Sequence, residues 1–159
     1  MNIMDGTASS RSIPDSVLPY PDGLWNRTKY AFWKGVYPMH NTIRNALLST
    51  HVLSHAGRQP YAFGRLAPGK TVEGFLKYLE RQQFGNHFIA WDDDDQVASV
   101  RRLDGFERQY HVRIFKDGEV RAHYEFTPEC YPIMHYKAKG QQERREDFLN
   151  FFGDWIITN

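Results

Sequence analysis

The sequence predicts an α+β domain: a four- to five-stranded antiparallel sheet with two preceding helices and a C-terminal amphipathic helix packed on one face. Three observations carry this expectation. Two stretches within residues 41–84 read as helices, residues 87–137 hold short alternating runs parted by charged or glycine turns, and residues 141–157 return to helical spacing.

Taken in order, residues 1–24 hold Pro14, Pro19, Pro21, Gly6 and Gly23 among small polar residues and read as a mobile or extended arm. The single domain is expected over 25–159. Residues 25–37 are aromatic (Trp25, Tyr30, Phe32, Trp33, Tyr37), as suits a segment that anchors the arm. A helix over 41–56 has Asn41 or Thr42 to cap it and Gly57 with Pro60 to stop it. A second helix over 71–84 spaces Val72, Phe75, Leu76 and Leu79 at i, i+3, i+4, i+7, with Thr71 as N-cap and Gly85 as stop. Residues 87–91 and 96–103 form one hairpin across Asp92–Asp95, and 108–115 with 119–126 form another across Lys116-Asp117-Gly118. A further strand is expected over 131–137. The last helix, 141–157, gathers Phe148, Leu149, Phe152, Trp155 and Ile156 on one face.

The second hairpin admits two registers. A two-residue turn at Asp117-Gly118 pairs Val112 with His123 and mixes polar with apolar groups on both faces. A type I turn at Lys116-Asp117 with Gly118 left-handed pairs Ile114 with Val120, Val112 with Ala122 and Tyr110 with Tyr124, leaving one face apolar. Burial selects the latter, because a one-residue slip moves every side chain across the sheet. The other face then carries His111 opposite His123, Arg113 opposite Arg121 and Gln109 opposite Glu125, with Phe115 and Glu119 beside them. Like charges directly opposed are unfavourable, so an anion or a carboxylate belongs there.

Charge bounds the partners. The net charge is +1, with 1–91 at +5, Asp92–Asp95 at −4, 97–145 at +3 and 146–159 at −3. A broadly basic nucleic-acid binder is excluded, while a local anion site is not. One cysteine, Cys130, excludes an internal disulfide and suits a reducing, cytoplasmic setting, with a packed thiol as its default. No apolar run is long enough to span a bilayer and no secretory signal is read, so a membrane partner is not expected.

Four constellations carry candidate chemistry. On the sheet face, His111 and His123 are proton-transfer candidates with Glu125 to orient or hold a His, Arg113 and Arg121 bind an anion, and exposed Phe115 stacks a base. That points first to binding or turnover of a phosphate-bearing ligand, a nucleotide or nucleic acid. The same His111, His123 and Glu125 form an alternative Zn²⁺ or Fe²⁺ set. A solvated sheet face, or a non-catalytic module that binds a protein or a second copy of itself, would need none of this chemistry. Gly64 to Thr71 matches G-x-x-x-x-G-K-[ST]: Gly64 and Gly69 would cradle phosphates, Lys70 would reach them and Thr71 would hold Mg²⁺, with Asp92 ending a second candidate strand. That motif requires a parallel sheet, whereas the hairpins predict an antiparallel one. His51 and His55 share a helical stripe but lack the H-E-x-x-H pattern. Asp92–Asp95 lacks EF-hand spacing and reads as a solvated turn, and His135 could join the His face only if its strand is adjacent.

Overall fold

A computed structural model of the chain describes residues 13–51, 61–87, 95–131 and 143–158. The predicted strand over 131–137, His55, His135 and most of Asp92–Asp95 lie outside these residues. In chain order the elements are α1 (Leu24–Val36), a 3₁₀ turn (Tyr37–Met39), α2 (His40–Ser49), β1 (Ala62–Leu66), α3 (Val72–Arg81), β2 (Gly85–Asn86), β3 (Gln96–Asp104), β4 (Arg108–Phe115), β5 (Glu119–Phe126), α4 (Arg145–Phe152), a second 3₁₀ turn (Gly153–Trp155) and β6 (Ile156–Thr158). The strands form one antiparallel sheet in the order β2-β3-β4-β5-β1-β6. The α+β class and the antiparallel sheet are as expected, with six strands among the described residues in place of four or five.

The β4–β5 register is the one that burial selects. Ile114 pairs with Val120, Val112 with Ala122, Tyr110 with Tyr124, His111 with His123 and Arg113 with Arg121. Gly118 takes φ +80° at the turn, a conformation open to glycine at little cost. The apolar face packs Val100, Val112, Ile114, Val120 and Ala122 against Phe75, Leu76 and Leu79 of α3 and Phe148 and Phe152 of α4.

Helix α3 begins where expected, with Thr71 Oγ1 accepting from Gly74 N at 3.1 Å. It stops at Arg81, ahead of Gly85, because Gln83 turns left-handed (φ 68°). Phe84 N then donates to Leu79 O and Gln83 N to Glu80 O, the paired bonds of a Schellman ending. Helix α2 ends at Ser49 instead of 56, since His51 is left-handed at φ 57° and cannot continue it.

The C-terminal helix is also shorter than its apolar pattern implies. It runs from Arg145 to Phe152, Gly153 (φ 53°) breaks it, and Ile156–Thr158 become the edge strand β6 against β1. Trp155 still reaches the core by stacking on Phe75, whereas Leu149, expected on the buried face, is exposed.

The segment read only as an aromatic anchor is helix α1, held by the Tyr30–Phe106 edge contact and by Lys29 over the Tyr131 ring at 3.7 Å. Before it, Ile13 is buried in the core, and residues 14–16 lie along β2: Asn86 N donates to Pro14 O and Ser16 N to Asn86 O. None of the described helices is long and apolar enough to cross a membrane.

Candidate functional site

The second face of the β3-β4-β5 strip is polar and buried. Alternation puts Ser99 and Arg101 of β3, Gln109, His111 and Arg113 of β4, and His123 and Glu125 of β5 on one side, and all seven are buried. The expectation of a solvated face is therefore corrected. Phe115 is fully buried as well, so it offers no ring for a base to stack on.

At the centre, the Glu125 carboxylate sits between two imidazoles. Oε1 lies 2.9 Å from His111 Nδ1 and Oε2 lies 3.0 Å from His123 Nε2, and the two rings meet edge to face at 4.9 Å. Strand pairing sets this up: His111 and His123 are cross-strand partners, and Glu125 follows His123 by two residues on the same face. His111 Nε2 is 2.9 Å from Ser99 Oγ, and the His87 ring meets His111 edge-on at 4.6 Å. Gln109 Nε2 donates to Glu125 Oε1 at 2.8 Å. Arg101 in turn donates to Gln109 Oε1 at 3.1 Å and makes a two-pronged pair with Glu129 at 2.7 and 2.9 Å.

Burial dominates the electrostatics. It pushes the His111 imidazole down to about 4, against the opposing pull of Glu125, so the ring is neutral at pH 7. Its Nδ1 is buried and faces the Glu125 carboxylate at 2.9 Å. His111, His123 and Glu125 each offer one ligand atom, all within 4.8 Å of one another.

No family model, curated protein or solved structure matches this chain.

The two arginines do not converge on open space. Arg113 Nε donates to Gln96 Oε1 at 2.5 Å with its guanidinium 5.2 Å from the Phe115 ring, and Arg121 Nε donates to Glu119 Oε1 at 2.7 Å. Neighbouring strand residues supply the acceptors that the opposed arginines were expected to need.

The Gly64–Thr71 stretch is explained by packing. Gly64 lies in β1, where a Cβ would stand 2.1 Å from Ile157 O of β6. Gly69 is in the turn closed by Lys70 N to Ala67 O, Lys70 Nζ donates to Asp154 Oδ2 at 3.0 Å above the Trp155 ring, and Thr71 caps α3. Strand β1 is antiparallel to both neighbours, which is not the parallel setting a phosphate loop uses.

Sequence reasoning did not reach Ser99, His87, Arg101 or Glu129. Extending the hairpin register across the Asp104-Gly105 turn would have found Ser99 and Arg101, since they pair with Arg113 and His111. Nothing local marks Glu129 as the partner of Arg101.

Proposed function

We propose that the protein binds one divalent first-row transition metal, Zn²⁺ or Fe²⁺, through His111, His123 and Glu125. The observation that carries this reading is the convergence of three buried donor groups, His111, His123 and Glu125, whose ligand atoms lie within 4.8 Å of one another. In the tautomer that donates Nε2–H to Ser99 Oγ, Nδ1 presents a lone pair to a carboxylate oxygen 2.9 Å away. Two acceptors facing each other at that distance are stabilised by a cation between them. Donors about 2.0–2.1 Å from a shared tetrahedral ion are themselves about 3.3 Å apart, so ligand atoms now within 4.8 Å of one another would draw in by up to about 1.5 Å to share a metal.

The surrounding groups fit the same reading. Ser99 orients the His111 ring, Gln109 holds the carboxylate and Arg101 holds Gln109, an outer layer of the kind that fixes ligand geometry. Two imidazoles and a carboxylate suit Zn²⁺ or Fe²⁺ over the harder Mg²⁺ and Ca²⁺. Three protein ligands also leave a coordination position for water or a small ligand. The phosphate reading has less support, because Gln96 and Glu119 engage Arg113 and Arg121 and Phe115 is enclosed.

The test is elemental analysis of untagged protein grown with added zinc and iron, followed by Co²⁺ loading of chelated protein. One metal per chain and Co²⁺ ligand-field bands are expected, both lost in Glu125→Gln and His123→Ala. Ser99→Ala should weaken metal affinity by about 10–100-fold. A folded protein with no metal and no Co²⁺ spectrum would make the triad a structural polar layer.

A further inference from the structure

Among the described residues, most of the large exposed apolar side chains lie between Val17 and Ile43. Leu24, Trp25 and Phe32 of α1 are 83%, 69% and 64% exposed, and Met39 and Ile43 continue the series through the 3₁₀ turn into α2. On a helical wheel Leu24, Thr28, Phe32 and Trp25 fall within one arc of about 100°, and Ala31 and Gly35 extend it. Tyr30 and Trp33 lie on the opposite side, where Tyr30 attaches the helix to Phe106, while Lys29 borders the stripe with its ammonium 5.6 Å from the Trp25 ring and reaches over Tyr131. Helix α1 therefore turns its apolar stripe away from the domain.

Charge selects what meets that stripe. The chain from Gly23 to Val72 contains no Asp or Glu, and Arg27 and Lys34 stand exposed along one flank of the stripe. A second copy is a poor occupant, because a two-fold contact would bring Arg27 and Lys34 against their own counterparts with no acid in the segment to neutralise them. An exposed Trp, Phe and Leu arc with a basic flank is the pattern of a helix that lies in the plane of an anionic bilayer surface.

We infer that α1 is an interfacial docking helix for anionic phospholipid, with Leu24, Trp25 and Phe32 entering the headgroup boundary and Arg27 and Lys34 pairing with headgroup phosphates or carboxylates. This is peripheral contact by a helix too short to span, so it departs from the expectation of no membrane partner without requiring a membrane-crossing segment. It does not depend on the metal site.

The experiment is co-sedimentation of the full chain with vesicles of phosphatidylcholine alone and of phosphatidylcholine mixed with phosphatidylserine. Binding to the mixed vesicles only, weakened by added salt, is expected. Arg27→Gln with Lys34→Gln should weaken it about 30-fold. Trp25→Ser with Phe32→Ser should abolish it while circular dichroism and the thermal midpoint stay unchanged, as both rings are exposed. Three results would overturn the proposal: no pelleting with mixed vesicles, equal pelleting with phosphatidylcholine alone, or pelleting indifferent to both double variants. A lipid-free dimer broken by Trp25→Ser with Phe32→Ser, or an acidic protein that binds this face where vesicles do not, would equally overturn it and assign the stripe to a protein partner.

Discussion

His111 shows how much one residue's surroundings decide. Its ring is neutral because burial outweighs the adjacent carboxylate, and its folded pKa of about 4 lies below the unfolded value near 6.5. The sign follows from proton uptake. As pH falls, the unfolded chain binds the proton first, so the stability this group contributes is complete above about pH 6.5 and declines down to about pH 4. The shift corresponds to about 3 kcal/mol. In chelated protein, urea midpoints should fall between pH 7.5 and 4.5, and His111→Asn should flatten that decline; an equal decline in the variant would place the effect elsewhere. Arg101 and Glu129 make a second residue-scale case, since a two-pronged pair this buried is costly to break from one side. Glu129→Ala should destabilise by roughly 3–5 kcal/mol and Arg101→Met with Glu129→Met by much less, measured by denaturant unfolding.

At the scale of elements, termini follow local chemistry where one residue controls them. Thr71 starts α3 through a side-chain bond, and Thr71→Ala should cost about 1 kcal/mol in thermal or chemical unfolding. The β4–β5 hairpin was legible in full for a related reason: its turn residues and its alternation agree on one register, and the alternative would bury charge. Helix α4 was read too long because Phe148, Phe152, Trp155 and Ile156 are apolar in the strand as in the helix, so periodicity did not register the break at Gly153. Strand β6 also explains Gly64. Gly64→Ala would drive a Cβ into Ile157 O and should destabilise by roughly 1–3 kcal/mol, with no dependence on added nucleotide in a thermal-shift assay.

At the scale of the whole molecule, the sheet joins strands from opposite ends of the chain, with β1 and β6 added beyond β5. Both are short, and their pairing is non-local, so no sequence window contains the information that would place them. Burial of the second sheet face is likewise a whole-molecule property. Alternation showed which side chains share that face and even which pairs oppose, but it described a polar face that could equally have been wet. Enclosure turned an anion-attracting surface into a closed layer running from Glu129 through Arg101, Gln109 and Glu125 to His111 and Ser99.

By itself, then, the sequence determined the α+β class, the antiparallel hairpin, the cap of α3 and the opposition of His111 to His123 with Glu125 beside them. These depend on interactions a few residues apart or across one tight turn, where side-chain period and turn chemistry leave a single consistent answer. The tertiary structure alone decided that the polar face is buried, that Glu119 and Gln96 engage the arginines, that Glu129 pairs with Arg101 and that α1 presents its apolar stripe outward. Those outcomes depend on which distant segment covers which surface, and desolvation, which changes the His111 pKa and makes the triad a metal candidate, exists only once that covering is in place.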